Sequence, residues 1–332
     1  MFEKQLKMIT TKKIYCLTPI YNDWESCFTL INHIEKIQFE NVNKFLFSII
    51  IVNDGSSDEF LQGIENSSLQ ITILNLKINI GHQRAIAVGL QYIYNEVSDY
   101  DFVVVMDGDG EDKPEDIIRL IEKGENEKAS KIIFAERKKR QESLLFKTGY
   151  FLYKYLFYFL TGQKISFGNF SLIPKKLLIK VVHQNNIWNH YSGGIIQSKI
   201  PFDKILLDRG KRNKGISKMN FNSLIIHGLS SIAVYFDFLS LRILRFSLYG
   251  ISVCFLSVMY ILFQKIFTES AIPGWASSLI LIISGIILQL FSVTLIVLLL
   301  QLSSRKHINA PNPKIYLDFI ESKEELKNEN EN

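Results

Sequence analysis

Cysteine is scarce. The 332-residue chain holds three, Cys16, Cys27 and Cys254, scattered without metal-ligand spacing, which excludes a cysteine-built zinc centre and fits a reducing compartment or inert thiols. An excess of one charge is missing too: 38 Lys and Arg face 33 Asp and Glu, and a net +5 is too mild to indicate a nucleic-acid partner. The opening stretch MFEKQLKMITTKK has neither an apolar core nor a small-residue cleavage site, so no secretory signal is expected. No internal repeat is present. No G-x-G-x-x-G follows the first apolar run, which argues against a dinucleotide-binding oxidoreductase.

Long apolar runs are present, and they gather near the C-terminal end. Residues 243–267 carry only an Arg and a Lys near their ends, and residues 279–302 carry no charge. At about 24 residues, or roughly 36 Å as helix, each can cross a hydrocarbon layer of about 30 Å with some tilt. The linker TESAIPGWASS is too short for a domain, and its Pro273–Gly274 marks a turn. Arg242 and Arg245 lie at the start of the first run; Arg305, Lys306 and His307 follow the second. The positive-inside bias then puts both flanks in the cytoplasm, so the first 240 residues are expected to work in the cytosol as a tethered domain.

That domain alternates two patterns. Short apolar runs ending in turn residues, at 13–21, 45–55, 69–76 and 101–110, alternate with helical candidates near 24–38, 59–66, 82–96 and 114–126. Near-continuous apolar strands separated by helices indicate an α/β fold with a parallel sheet covered on both faces. Ligands of such sheets collect beyond the carboxyl ends of the strands, where Tyr21–Asn22–Asp23, Asp54 and an acidic cluster fall. Further on, residues 144–160 hold eight aromatics and fit either a core helix or one lying in lipid headgroups. Residues 220–236 show a helical apolar stripe, read as a surface-lying helix, and the charged tail after 320 reads as disordered. The expected layout is a cytosolic domain over 1–219, an amphipathic juxtamembrane helix over 220–242, spans over 243–267 and 279–302, and a cytosolic tail over 303–332.

The stretch FVVVMDGDGEDKPED ends an apolar run by crowding Asp107, Asp109, Glu111 and Asp112 together. Like charges that close destabilise one another unless something positive sits among them. Residues i and i+2 of a strand project to one side, so Asp107 and Asp109 are expected to share a crevice. Carboxylates are hard ligands suited to Mg²⁺ or Mn²⁺, and an ion held by few protein ligands keeps positions open for phosphate oxygens. A solvated acidic turn also fits an Asp-x-Asp pair taken alone.

The context adds weight. TPIYNDWE, IIIVNDGSSDE, NIGHQRAIAVGL and VVVMDGDGEDKPED, in that order, resemble the family 2 glycosyltransferases of the GT-A fold, a Rossmann-like, mostly parallel sheet with helices on both faces. Within them the chain looks most like the polyprenyl-phosphate glycosyltransferases, the group that includes dolichol-phosphate mannosyltransferase. The resemblance covers roughly residues 10–305, paired C-terminal spans included. It implies that Pro19, Tyr21 and Asp23 line the nucleotide base and ribose and that Asp54 pairs with the base. Asp23 stands where glutamate is more usual, and Asn53 replaces a frequent acid. It also implies that Asp107 and Asp109 contact the nucleotide sugar and hold the metal, with Glu111, where relatives often carry glutamine, as a third ligand. Gly81 and Gln83, in GHQRA, would lie beside the donor; His82 is equally well a cap or a donor contact.

On the acceptor side, DRGKRNKGISKMNF at 208–221 resembles a basic loop that closes over the active site, with Arg212, Gly215, Ser217 and Lys218 on matching positions. Arg209 adds to that anion trap, Arg212 is also assigned to catalysis, and Arg137 and Lys147 lie where relatives bind the lipid phosphate. A juxtamembrane basic patch drawn to anionic lipid is the plainer account, and both can hold. The implied activity is inverting transfer of a hexose, glucose from UDP-glucose first, onto undecaprenyl phosphate at the cytosolic membrane face, with possible homo-oligomers. The alternatives are transfer to a glycan or another lipid, or a non-catalytic membrane tether. No tryptophan follows an arginine, so the Q-x-x-R-W motif of processive members is absent.

Overall fold

The computed structural model describes residues 11–58, 67–137, 155, 157–160, 162, 167–208, 210, 232–268, 274–306 and 311–326. The N-terminal apolar runs become β1 (Lys12–Ile20), β2 (Phe45–Asn53), β3 (Gln70–Leu76) and β4 (Phe102–Val105). Between them stand α1 (Trp24–Glu40) and α2 (His82–Glu96), and α3 (Asp116–Asn126) follows β4. The expected helix at 59–66 lies outside the described residues. Then come β5 (Ile132–Arg137), β6 (Phe167–Pro174), α4 (Lys175–Val182), α5 (Tyr191–Gln197) and β7 (Phe202–Leu207). Two long helices, α6 (Phe236–Phe267) and α7 (Trp275–Lys306), precede the last strand, β8 (Ile320–Leu326).

The eight strands form one sheet in the order β7-β5-β6-β4-β1-β2-β3-β8. β3, β2, β1 and β4 are mutually parallel, as the apolar runs predict; β6 is antiparallel to β4 and β5, and β8 is antiparallel to β3. Strand side chains alternate between two cores. Phe102 and Val104 join α1 and α3 on one face, while Val103 and Val105 join α2, α4 and α5 on the other. In α1 the buried residues Cys27, Leu30, Ile31, Ile34 and Ile37 recur at helical spacing, which lays one stripe on the sheet. Cys16 and Cys27 are buried in that core, and burial pushes both thiols up to about 12, as inert thiols require.

The chain divides into two units, one of Met1–Lys147, Ile165–Val234 and Pro311–Asn332, the other of Thr148–Lys164 and Tyr235–Ala310. The first unit holds the sheet, including β8. The tail after 320 is therefore corrected: its first residues are an edge strand, and only 327–332 lie outside the described residues. Its charges read as solvated because both faces of this edge strand are largely exposed, while the backbone makes the pairing.

The second unit is an antiparallel pair. Ser240 in α6 donates to Gln301 in α7 at 2.8 Å, and a side chain at Gly250 would meet Leu290. Only 11% and 6% of the most apolar windows of these helices are buried, unlike the mostly buried core helix of a soluble protein. Both are long and apolar enough to cross a membrane. α6 starts at Phe236, so residues 236–242 of the expected juxtamembrane helix continue straight into the first apolar run; residues 220–231 lie outside the described residues. Of the aromatic stretch, residues 157–160 are helical, with Phe157 buried edge-on against Tyr235 and Phe159 stacked on Phe246.

Candidate active site

β1 is bordered by β2 on one side and β4 on the other, so the chain leaves these strands in opposite directions and opens a crevice at their carboxyl ends. Tyr21, Asn22 and Asp23 follow β1, Asp54 follows β2, and the acidic turn follows β4.

β4 ends at Val105, and Asp107 and Asp109 stand beyond its pleat. The expectation that strand alternation aims them is corrected: a turn through Gly108 and Gly110 (φ 83°) places them. Asp112, 4% exposed, anchors the turn by accepting the Asp107 N–H at 3.0 Å. Asp109 Oδ1 accepts the Glu111 N–H at 3.0 Å. Beneath, a Cβ on Gly108 would stand 3.1 Å from the Thr18 Oγ1, a buried hydroxyl with no hydrogen-bond partner among the described residues. Beyond β7, the Gly210 N–H donates to the Glu111 carbonyl at 2.9 Å, and a Cβ there would lie 2.5 Å from the Gly110 carbonyl oxygen. Only glycine allows that approach.

The first turn of α2 faces the acidic turn. His82 Nε2 lies 3.1 Å from Asp107 Oδ1 and 3.0 Å from Asn169 Nδ2. Gln83 accepts the Tyr191 N–H at 2.6 Å, which turns its NH₂ toward Asn169 Oδ1 at 3.4 Å and leaves the Asn169 NH₂ facing His82. Burial pulls the His82 pKa down, but the carboxylates of Asp107, Asp109 and Asp54 outweigh it and hold the imidazole above its ordinary value.

Asp54 is 3% exposed, and its two oxygens accept the N–H groups of Ile80 (2.7 Å) and Gly81 (3.0 Å). Burial raises its pKa, and these two bonds and the nearby His82 only partly offset that. Gly55 (φ 69°) makes the close docking possible, since a Cβ there would lie 2.7 Å from the Asn79 nitrogen. Pro19 is buried within β1, Tyr21 is 47% exposed, and Asp23 stands at the N-cap of α1 without a side-chain cap bond.

Asn169 escaped the sequence, and Asn22 was placed at the strand ends without a role. Asn22 (φ 50°) accepts the N–H groups of Ser57 (2.8 Å) and Asp58 (3.2 Å), tying the ends of β1 and β2 together. Its signal was that asparagine tolerates a left-handed backbone. Asn169 gave none, because only the pairing of β6 with β4 brings it to the crevice. Arg137 ends β5, paired with Leu207 of β7. Its side chain, and all of Lys147, Arg209, Arg212, Ser217 and Lys218, lie outside the described residues.

Asp107 and Asp109 are hard carboxylates on a partly open turn, a ligand chemistry that suits Mg²⁺ or Mn²⁺. Among the described residues no group of three or more His, Cys, Asp or Glu is set to hold a metal ion. An ion held by two protein carboxylates has positions left for substrate oxygens.

The profile of the family described as "Glycosyl transferase family 2" matches residues 15–182, just over half of the chain. The uncharacterized glycosyltransferase YkcC of Bacillus subtilis (strain 168) is 26% identical over 295 residues, covering 83% of this chain and 85% of that protein. The bactoprenol glucosyl transferase of Shigella phage SfX is 25% identical over 284 residues, 82% of this chain and 88% of that one. Among solved structures, glucosyl-3-phosphoglycerate synthase from Mycobacterium tuberculosis, crystallised with Mn²⁺, UDP-glucose and phosphoglyceric acid, superposes with a TM-score of 0.50 at 14% identity. That match covers 69% of this chain and 80% of the other and shows the shared fold. With its acidic turn at the switch point of a GT-A sheet, the chain belongs to glycosyl transferase family 2 and is a glycosyltransferase.

Proposed function

We propose that the chain transfers a hexose, with glucose from UDP-glucose as the first donor to test, onto undecaprenyl phosphate at the cytosolic face of a membrane. The observation that carries this reading is the combination, in one family 2 chain, of the Asp107–Asp109 turn with a hairpin of two exposed apolar helices. The name of the phage relative supports the acceptor. Asp107 and Asp109 would hold a divalent ion, which when bound supplies charge neutralisation for the departing nucleoside diphosphate. Asp54 serves the donor by holding the backbone of residues 80–81 in place, and Tyr21 and Asp23 border the nucleotide. A phosphate monoester, with a second pKa of about 6, is already largely dianionic at neutral pH, so its attack needs no general base. Attack opposite the leaving group inverts the anomeric centre. Arg212, with Arg137, Lys147, Arg209, Ser217 and Lys218, is assigned to the acceptor phosphate.

Sheet topology supports the location. β8 follows the hairpin and β7 precedes it, yet both belong to one sheet, which supports a hairpin that leaves and re-enters on the same side of a bilayer. Arg242, Arg245, Arg305 and Lys306 at its flanks favour the cytosolic side. Purified protein incubated with labelled UDP-glucose, Mg²⁺ and a short polyprenyl phosphate is expected to yield labelled lipid. The absence of labelled lipid across a panel of sugar nucleotides defeats the proposal.

A further inference from the structure

The chain that follows α7 returns to the catalytic sheet and grips α2. Tyr316 is 2% exposed; its ring meets Tyr92 edge-on at 6.2 Å, and its hydroxyl donates to Glu96 at 2.5 Å. Gln91, 1% exposed on α2, accepts the Tyr316 N–H at 3.2 Å and donates to the Asn312 carbonyl at 3.0 Å. Asn95 donates to the Pro313 carbonyl at 2.8 Å. At the end of β3, the Lys77 N–H donates to the Phe319 carbonyl at 2.9 Å, and β8 then pairs along β3 from Leu76 back to Ile71.

These contacts bracket one loop. β3 leads into residues 77–81 and α2 leads out of them, and the same loop carries the two N–H groups that Asp54 accepts. From Gln91 back to His82 the helix is a stiff rod of about 13 Å, so a tilt at its tied end moves the ring that faces Asp107. Without the returning segment, Gln91 would lose its Tyr316 donor and its Asn312 acceptor, and β3 would become an open edge.

We infer that residues 311–326 are a positioning element for the donor side of the active site. They clamp β3 and the C-terminal half of α2, and thereby set His82 against the acidic turn and Gln83 against Asn169. Since this segment follows the apolar hairpin in the chain, the site is complete only after the hairpin has been made and the chain has returned. The inference rests on the proposed function for the identity of the donor alone.

The test compares full-length protein in detergent with Tyr316→Ala, Tyr316→Phe and a chain ending at residue 310, by hydrogen exchange and by calorimetric titration with UDP-glucose and Mn²⁺. Tyr316→Ala, which removes the buried ring, and the shortened chain are expected to exchange faster across residues 80–86 and to bind UDP-glucose about tenfold more weakly. Tyr316→Phe keeps the buried ring and is expected to stay within about threefold of the parent. A peptide of residues 311–326 should restore protection across 80–86 in the shortened chain. Unchanged exchange across 80–86 in both Tyr316→Ala and the shortened chain overturns the inference, as does protection lost equally throughout β1 and β4. If the parent itself fails to bind UDP-glucose, the proposed donor is wrong, and the exchange result alone decides the positioning role.

Discussion

Replacing Asp54 separates two accounts of this carboxylate. The family resemblance makes it a base-pairing group, whereas the structure gives both of its oxygens to the N–H groups of Ile80 and Gly81. Hydrogen bonds to an ionised acceptor net about 1.5–3 kcal/mol each, and the raised pKa shows that burial takes part of that back. Asp54→Ala is therefore expected to cost about 2–4 kcal/mol, a drop in Tm of about 4–16 °C for a domain of this size. Asp54→Asn keeps one acceptor and turns an NH₂ toward the second N–H, so its cost should be about half. The pH dependence has a sign. The folded-state pKa lies above the unfolded value, so the folded protein binds more protons just above pH 4, and the Asp54 contribution to stability falls as pH rises through that window. The stability advantage of the parent over Asp54→Asn should therefore narrow upward from about pH 4 and then level off. Scanning fluorimetry in detergent reads the stability, and calorimetric titration with UDP-glucose and Mn²⁺ reads the donor. An Asp54→Ala protein that keeps its Tm while losing donor affinity would refute the loop-holding account and return Asp54 to the base.

Gly55→Ala forces a side chain into a left-handed backbone and against the Asn79 nitrogen; it should lower stability by about 2–4 kcal/mol in chemical denaturation, and a change within error would mean the β2 turn relaxes freely. Asp109→Asn keeps an acceptor for the Glu111 N–H while losing the charge, so transfer should fall about 100-fold or more with an unchanged circular dichroism spectrum. Undiminished turnover in that variant removes the metal assignment. Arg212→Ala should raise the acceptor KM by about ten- to a hundredfold, the worth of one charge-assisted phosphate bond, with the donor KM little changed. Equal loss on both sides would mean the basic loop has another task.

Much of the scaffold was legible because its signals are local. α2 forms over the residues that its apolar pattern marks, and β1, β2 and β3 fall close to their apolar runs. β4 is shorter than its run: Met106 still bonds the Leu17 carbonyl, but the chain then turns so that Asp112 can accept the Asp107 N–H. A charge that looks like repulsion in the sequence is, at Asp112, a buried anchor. β8 was illegible for a related reason, since its ladder is made by backbone groups and most of its side chains stay exposed.

By itself the sequence determined the alternating α/β pattern, the two apolar helices and the acidic turn, because these depend on side chains a few positions apart in the chain. Tertiary structure alone decided that Asn169 faces His82 across 87 positions and that Tyr316 meets Gln91 across 225. Such pairs follow from strand order, and strand order is chosen by how two hydrophobic faces of one sheet are covered together, which no single segment encodes.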